Sequence, residues 1–347
     1  MKRYFRWMVL LLLALGIAGY FRFFSAATSF QEKTRYFIID SAGESRESVL
    51  AAIKQKGIIR HTGSLDLLAS VLGAWHKIRP GKYEVKKGAS LFAIARMLKN
   101  GKQAEIKLVI NGIRIKENLA RLIAKDFSVD SVTVMQYLTN NDSLKEFGVD
   151  SNTVFSLIIP DTYSFYWNAS LPVIFKKLAA AKNSFWSKDN RLEKAKALGM
   201  SPEEVYTLAS IVEEETNFSS DKYKIASVYL NRLHKAMPLQ ACPTIKYAMK
   251  DFTLTRIYDK YLSNPSPYNT YRRKGLPPGP ICIPSPKTID IVLDAPKTDY
   301  LYFVAKSDFS GYHHFSATYA EHSKYAKEYQ KELDKYMARK QEKTKQP

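Results

Sequence analysis

The stretch MSPEEVYTLASIVEEETNF (Met200–Phe218) predicts a buried helix that ends in three consecutive glutamates. Ser201 suits the N-cap, Pro202 suits the first helical position, and Glu204 completes a capping box with Ser201. Apolar residues then recur at positions i, i+3, i+4 and i+7, a spacing that defines one buried stripe. The stripe consists of Val205, Leu208, Ala209 and Val212.

Helical phase makes the three glutamates different from one another, because successive residues are about 100° apart around a helix. Glu215 and Thr216 follow Val212 by three and four residues and therefore lie near the stripe. Glu213 lies at the flank of the stripe, and Glu214 is expected to point into solvent. In the alternative reading, the helix ends before Glu215 and all three carboxylates are solvated.

A carboxyl group brought to a buried face at the end of a helix is expected to have a raised pKa. Loss of solvent and the negative end of the helix dipole both disfavour the charged form of Glu215. A carboxylic acid that stays protonated near neutral pH can protonate a leaving oxygen. The next segment, SSDKYKIASVYLNRLHKAM (Ser219–Met237), predicts a second helix capped by Ser219 or Ser220.

The overall composition favours an acidic partner. The chain has 347 residues, which suits about two domains, and its 46% hydrophobic residues can bury a core. Lys and Arg number 53 against 33 Asp and Glu, for a formal charge of +20. Nucleic acid, anionic lipid and an anionic polymer are all compatible with that charge.

The first segment, MKRYFRWMVLLLLALGIAGYFRFF (Met1–Phe24), predicts a membrane anchor over residues 1–30. Basic residues precede an apolar run from about Trp7 to Tyr20, and aromatic residues extend it. A cleaved signal peptide is the alternative, because small residues follow Phe24. The basic N-terminal side indicates a single-pass protein of the cytoplasmic (inner) membrane with the remainder outside the cytoplasm. Nucleic acid is then a poor partner.

Residues 34–110 are predicted to form a small α+β module. RYFIID (Arg35–Asp40), KYEV (Lys82–Val85) and AEIKLVI (Ala104–Ile110) have strand composition, and helical spacing lies between them. Ser90 is expected to cap a helix that ends at Gly101. The buried face of that helix is expected to carry Leu91, Ile94, Ala95 and Leu98.

The remaining chain is predicted to be mostly helical, with two conspicuous interruptions. Pro160–Tyr163 is expected to be a loop between strand-like aromatic residues. The Pro-rich stretch Asn264–Pro286 excludes a helix or a central strand and favours an ordered functional loop. The charged tail, residues 336–347, is expected to fray.

The two cysteines, Cys242 and Cys282, leave two possibilities open: one disulfide, or two free thiols. No metal-ligand spacing accompanies them, so no metal and no cofactor is expected.

Several motifs together resemble one known family. LASIVEEET, KIASVYLNRL, PLQACPTIKYAM, PYNTY, GLPPGPI, YLYFVA and HHF occur in an order similar to the MltG (YceG-like) family of endolytic murein transglycosylases. The resemblance is dense from Leu208 to His322, with weaker support around Lys82–Gly101 and Ile159–Phe165. It implies a membrane-anchored α+β protein with a LysM-like module at residues 34–110 and a lysozyme-like, mostly helical catalytic domain with a small β part at residues 111–335.

The resemblance also implies an activity and partners. Family members cleave the MurNAc–GlcNAc β-1,4 bond in nascent peptidoglycan strands and leave 1,6-anhydroMurNAc ends, which would terminate glycan elongation. Peptidoglycan strands are the implied substrate, and peptidoglycan synthases are the implied protein partners. No cofactor is implied.

The family's catalytic glutamate directly precedes Ser or Thr and therefore corresponds to Glu215, the residue that helical phase also selects. Cys242 stands where relatives carry an aspartate. Asn269 could instead stabilise a turn, and His313 could instead be a structural histidine. Asn231 and Arg232 are expected to hold the helix pair together. The positions expected to bind substrate are Glu213, Thr216, Gln240, Tyr268, Asn269, Thr270 and His313.

Two other functions remain compatible with the residues. A lysozyme-type hydrolase would use a second carboxylate, for which Asp221, Asp251 and Asp259 are available. A non-enzymatic scaffold would bind the cell wall through the module at residues 34–110. No Walker loop and no His-Glu-x-x-His motif suggests a nucleotide enzyme or a metalloprotease.

Overall fold

The computed structural model describes residues 2–40, 44–254 and 257–345, and the side chains of residues 4–339 within these ranges. The chain divides into two compact units. Unit 1 contains residues 1–108, 126–128 and 163–170, and unit 2 contains residues 109–125, 129–162 and 171–347.

Unit 1 begins with an apolar helix and continues as a small α+β module. Its elements are α1 (Lys2–Phe24), β1 (Thr34–Ile39), α2 (Arg46–Gln55), α3 (Gly63–Val71), β2 (Gly81–Lys86), α4 (Leu91–Asn100) and the start of β3 (Glu105–Ile110). β1 pairs antiparallel with β2 and places Phe37 opposite Tyr83. Both rings are buried in a core that α2, α3 and α4 cover. The predicted order of strands and helices is therefore confirmed.

Two details of unit 1 follow the sequence closely. Ser90 caps α4 by accepting a hydrogen bond from the Ala93 N–H, and Gly101 ends the helix in the left-handed conformation. Within α1, the segment Tyr4–Phe24 has 21 residues and a mean hydropathy of 1.9, and none of it is buried. This helix is long and apolar enough to cross a membrane, and it extends beyond the predicted apolar run.

Unit 2 is mostly helical, with small two-stranded sheets. Its elements are α5 (Lys116–Asp126), α6 (Ser131–Thr139), α7 (Asn141–Lys145), α8 (Leu171–Trp186), α9 (Arg191–Ala197), α10 (Pro202–Glu215), α11 (Ser219–His234), α12 (Cys242–Met249), α13 (Asp259–Leu262), α14 (Pro286–Leu293), β5 (Tyr302–Ala305), β6 (His313–Ser316) and α15 (Tyr319–Lys345). A further strand, β4 (Asp161–Tyr166), begins in unit 2, and most of its residues belong to unit 1. β3 pairs with β4, and β5 pairs antiparallel with β6. Helix α10 packs against α11, α12 and α14.

Two local predictions in this part of the chain are wrong. The segment predicted as a loop at Pro160–Tyr163 is largely strand, because β4 begins at Asp161. The charged tail does not fray within the described residues, since α15 continues to Lys345. Charge pairing along the helix supports it, as in the 2.6 Å contact between Lys335 and Glu332.

The Pro-rich segment between α13 and α14 is an ordered loop without regular helix or strand, as predicted. Gly279 lies so close to another segment that a Cβ atom at this position would be 2.1 Å from the Asn152 carbonyl oxygen. The Ile281 N–H donates to the Ser210 hydroxyl on α10 at 3.0 Å. This hydrogen bond therefore connects the loop directly to α10, the helix that carries the three glutamates.

Candidate active site

The three glutamates lie in a cleft of about 320 Å³ at the end of α10. The helix begins at Pro202 with the predicted capping box and includes Glu215 as its last residue. The alternative, a helix that ends before Glu215, is therefore wrong. Burial extends well beyond the predicted stripe and covers all residues from Val205 to Val212. The cleft is lined by Gly112, Arg114, Glu213, Glu214, Glu215, Thr216, Asn217, Cys282 and Ile283.

Glu215 is held as a weak acid. The Tyr229 hydroxyl donates a hydrogen bond of 2.5 Å to Glu215 Oε1, and the Tyr229 side chain is buried. Burial raises the pKa of the Glu215 carboxyl from 4.5 to about 7, while the Tyr229 hydrogen bond and the charges of Lys246 and Arg232 limit that rise. A carboxyl with this pKa can donate a proton near neutral pH and take it back afterwards.

Glu213, in contrast, is stabilised in its ionised form. Its Oε2 accepts hydrogen bonds from Lys222 Nζ at 2.6 Å, from Ser285 Oγ at 3.3 Å and from Thr288 Oγ1. Burial alone would raise the pKa of Glu213, but the hydrogen bonds from Lys222 and Thr288 outweigh it, and the pKa lies below 4.5. The pKa values of two carboxyl groups only two residues apart are thus shifted in opposite directions.

Glu214 does not point freely into solvent, so that prediction is wrong. Its Oε1 accepts a 2.8 Å hydrogen bond from Arg114 Nε, and its side chain is only 19% exposed. In the same segment, the Ile113 carbonyl accepts a hydrogen bond of 2.8 Å from the Ile283 N–H. A segment far away in sequence therefore covers the side of α10 that helical phase assigned to solvent.

Helix α11 supplies the partners of both remaining glutamates, and sequence reasoning missed them. Lys222, Ile225, Ala226 and Tyr229 are spaced at i, i+3, i+4 and i+7 and are all buried. The sequence did contain a signal for these partners, because Lys222 and Tyr229 fall on the otherwise apolar stripe of α11. Helix α11 also lacks the predicted serine cap, because Phe218 occupies the N-cap and Ser219 is already helical.

The structure brings Gln240 and Thr270 together. The Gln240 N–H donates to the Thr270 carbonyl at 3.1 Å, while the Gln240 side chain is exposed. Thr270 Oγ1 accepts the Ala241 N–H at 3.0 Å and lies 2.9 Å from Thr244 Oγ1. The nearby Tyr268 ring packs against Tyr247, with ring centroids 4.7 Å apart.

Asn269 is buried, and its side-chain amide is used within the loop. Its Nδ2 donates to the carbonyls of Leu262 and Asn264, and its Oδ1 accepts the N–H of Tyr271. These three hydrogen bonds fix the loop that carries Tyr268 and Thr270.

His313 is placed outside the group of described residues that line the glutamate cleft. Its backbone N–H and its Nδ1 lie 2.8 and 3.0 Å from Oδ2 of the buried Asp221. Asn231 and Arg232 were expected to hold the helix pair together. They instead attach α11 to other backbone segments, with Asn231 donating to the Thr298 and Tyr300 carbonyls and Arg232 to the Leu301 carbonyl.

Both cysteines are free thiols, which settles the question left open by the sequence. The buried Cys282 donates to the Ser210 carbonyl at 3.3 Å, and the exposed Cys242 lies 3.2 Å from the Tyr271 hydroxyl. Among the residues that the structure describes, no cluster of three or more His, Cys, Asp or Glu could hold a metal ion.

Comparison with known proteins places this geometry in a family. The model of the YceG-like family matches residues 39–328. An endolytic murein transglycosylase of Bacillus subtilis (strain 168) is 34% identical over 331 residues, which cover 90% of this chain and 87% of the relative. An endolytic murein transglycosylase of Streptococcus pneumoniae (strain D39) is 34% identical over 152 residues, or 43% of this chain and 27% of the relative.

A solved structure agrees with these matches. The crystal structure of a yceG-like protein from Listeria monocytogenes has a TM-score of 0.55 and 26% identity, and the match covers 85% of this chain and 99% of that protein. The resemblance seen in the sequence motifs is confirmed: the chain belongs to the YceG-like family.

Proposed function

We propose that this chain is a membrane-anchored endolytic peptidoglycan transglycosylase that cleaves MurNAc–GlcNAc β-1,4 bonds in nascent glycan strands, leaves 1,6-anhydroMurNAc ends and so terminates strand elongation. The observation that carries the proposal is Glu215, a carboxyl with a pKa of about 7 on a residue that lines a cleft. Its setting agrees with the endolytic murein transglycosylase activity named for the Bacillus relative, which matches 90% of this chain.

One acid is sufficient for the proposed reaction. Protonated Glu215 gives its proton to the glycosidic oxygen as the bond from that oxygen to C1 of MurNAc breaks. The substrate's own N-acetyl oxygen stabilises the positive charge that develops at C1. Glu215, now a carboxylate, takes the proton of the MurNAc 6-hydroxyl while that oxygen bonds to C1. The anhydro ring closes, no water is consumed, and Glu215 is protonated again.

The Tyr229 hydrogen bond suits both halves of this cycle. It stabilises the carboxylate form of Glu215 that follows the first proton transfer, and its donor is buried and held in place. Without it, burial would hold the pKa of Glu215 higher still, because the Tyr229 hydrogen bond lowers that pKa. Tyr229 therefore keeps the acid able to act as a base in the second half of the reaction.

The cleft supports a transglycosylase over a lysozyme-type hydrolase. The described residues that line it include three glutamates and no aspartate. Glu213 is bound to Lys222 and Glu214 to Arg114, so both carboxylates already have cationic partners. Asp221, one candidate for a second carboxylate, is buried against His313. A free second carboxylate for a hydrolytic mechanism is therefore not evident beside Glu215 in the described part of the chain.

The predicted substrate-binding residues are proposed to act in two ways. Thr216 and the ionised Glu213 lie with Glu215 in the cleft, where they can orient the sugar being cleaved. The exposed Gln240 and the half-buried Tyr268 are proposed to bind neighbouring sugars. Thr270 is buried and accepts the Gln240 N–H at its carbonyl, so it is proposed to contribute by positioning Gln240.

Two further residues are proposed to act indirectly. Asn269 would support binding by fixing the loop of Tyr268 and Thr270. His313 would support it by fixing Asp221 at the start of α11.

Unit 1 is proposed to provide a LysM-like wall-binding module and the membrane anchor. The antiparallel strands β1 and β2 enclose α2 and α3 in sequence, a strand–helix–helix–strand order that fits such a module. Helix α1 would hold the chain in the cytoplasmic membrane, with the remainder on the extracytoplasmic side. Peptidoglycan synthases, which produce the nascent strands, are the proposed protein partners.

The test is to digest purified peptidoglycan strands with the full chain in mild detergent and to identify the new sugar ends by mass spectrometry. The expected ends are 1,6-anhydroMurNAc, which weigh one water less than hydrolysed ends. Glu215→Gln should abolish cleavage, whereas Glu321→Gln, an exposed glutamate on α15, should leave it unchanged. Reducing MurNAc ends would support the hydrolase instead. Binding of strands without cleavage would support a non-enzymatic scaffold.

A further inference from the structure

A cleft of about 680 Å³ lies in unit 1, apart from the glutamate site. It is lined by the last part of α1, the segment that follows α1, and the turn after α2. Its lining combines apolar side chains such as Phe21 with four basic ones, Arg22, Arg60, His61 and Lys87. The lining residues include no aspartate or glutamate.

The cleft lies where α1 is expected to leave a bilayer, an inference that rests on the membrane anchor proposed above. The apolar segment Tyr4–Phe24 has 21 residues and is about 31 Å long, which matches a hydrocarbon core of about 30 Å. Tyr20 and Phe24 stack at its end, and tyrosine is enriched at the surfaces of membranes. The cleft therefore opens at the level of the lipid headgroups.

The position of the cleft on α1 is fixed by contacts with the folded module. Phe24 stacks on Phe92 of α4, with ring centroids 4.9 Å apart. Arg22 donates two hydrogen bonds, of 3.1 and 2.8 Å, to the Ser64 hydroxyl at the start of α3. Arg22 is thus held against the folded module by its side chain.

The positive charge of the cleft is not neutralised by the protein. Arg22 and Lys87 are bonded to neutral groups, the Ser64 hydroxyl and the Gln31 amide oxygen. Within the ranges that the structure describes, none of the four basic side chains forms an ion pair. Four exposed basic groups beside an apolar wall match a phosphate that carries an acyl chain.

We propose that this cleft binds the phosphate headgroup of an anionic phospholipid from the membrane that holds α1. Arg22, Arg60 and Lys87 would bind the phosphate oxygens, and His61 would lie at the same rim. The side of α1 that carries Ala18 and Phe21 would contact the first part of an acyl chain. A bound lipid would tie the α+β module to the membrane surface.

The test uses the full chain purified in mild detergent and native mass spectrometry with added phosphatidylglycerol or phosphatidylcholine. The wild-type chain should retain one phosphatidylglycerol and much less phosphatidylcholine. The double variant Arg60→Gln with Lys87→Gln should retain phosphatidylglycerol about 25-fold more weakly, since each basic group near an anionic lipid contributes roughly a fivefold factor. The matched control, Lys54→Gln with Lys77→Gln, removes the same charge from exposed positions of unit 1 and should bind like the wild type.

If both double variants lost phosphatidylglycerol binding to the same extent, the proposal would be overturned, because the effect would then depend only on net charge. The proposal would also be overturned if the wild-type chain retained phosphatidylcholine as well as it retains phosphatidylglycerol. Competition by glycerol phosphate at the same concentration as the lipid would show that a free phosphate, and not a lipid, is the ligand. The Glu215→Gln variant should lose glycan cleavage and still retain phosphatidylglycerol like the wild type, since Glu215 does not line this cleft. A failure of lipid binding is therefore distinguishable from a failure of the proposed enzymatic function.

Discussion

Replacing Glu215 with glutamine should stabilise the folded chain at alkaline pH, although it removes the proposed catalytic acid. The Glu215 carboxyl has a pKa of about 7 in the folded chain against an ordinary value of 4.5, chiefly because burial disfavours its charged form. Between these two values the folded state keeps a proton that the unfolded chain has released. The stability of the wild type therefore falls as the pH rises through this window. Glutamine does not titrate and contributes no such loss.

The size of the effect follows from the difference between the two pKa values. One pKa unit corresponds to about 1.4 kcal/mol, so the rise from 4.5 to about 7 corresponds to about 3 kcal/mol once the pH is well above 7. Glutamine has nearly the shape of glutamate, and its amide oxygen can still accept the hydrogen bond from Tyr229. The difference between variant and wild type should therefore come from ionisation more than from packing.

The measurement is urea unfolding of the full chain in mild detergent at a series of pH values. Pulse proteolysis with mass spectrometry of peptides from α10 and α11 reports on unit 2 separately from unit 1. The glutamine variant should gain about 3 kcal/mol relative to the wild type between about pH 4.5 and pH 8.5. An exposed control, Glu321→Gln, should show no such trend. The reasoning is refuted if the difference in unfolding free energy between Glu215→Gln and the wild type is the same at about pH 4.5 and about pH 8.5.

Three further substitutions test the surroundings of the site. Tyr229→Phe removes a hydrogen bond that lowers the pKa of Glu215, so the alkaline limb of kcat/KM for glycan cleavage should move upward from about pH 7. Lys222→Met leaves Glu213 without its cation and should cost about 3 kcal/mol of unfolding free energy by urea titration. That cost should fade as the pH falls through the lowered pKa of Glu213. Gly279→Ala would put a methyl group 2.1 Å from a backbone carbonyl oxygen and should lower the unfolding free energy of unit 2 by about 1–3 kcal/mol.

Each of these variants has a matched control in the same chain. Tyr223→Phe changes an exposed tyrosine on α11 and should leave the pH profile in place. Lys235→Met removes an exposed lysine at the end of the same helix. Gly63→Ala adds a methyl group where no heavy atom lies within 4 Å. A test variant that behaves like its control would contradict the contact on which its prediction rests.

Local features of the chain were predictable because short-range physics decides them. The capping box at Ser201 and the helical phase of α10 depend only on neighbouring residues. They correctly predicted that Glu215 lies toward the interior, where burial raises its pKa. The same holds for the Ser90 cap, the Gly101 end of α4 and the strands of unit 1. The apolar composition of α1 and the proline content of the loop before α14 likewise predicted their conformations.

Tertiary structure decided what surrounds each glutamate. Tyr229 and Lys222 come from the next helix, Thr288 comes from α14, and Arg114 comes from a segment about a hundred residues earlier in the chain. The expectation for Glu214 failed for that reason, since helical phase places a residue on its own helix but does not show which other segment covers it. The cysteines were likewise undecided until the fold separated them.

The place of the candidate acid was therefore predictable from the sequence, whereas its raised pKa depends on the fold. The position of Glu215 follows from helix geometry within α10. The protonation states of Glu215 and Glu213 follow from burial, hydrogen bonds and charges supplied by other elements. Electrostatic free energies depend on distances of a few ångströms and on the exclusion of water. Neither these distances nor the exclusion of water is established until segments that are distant in sequence pack together.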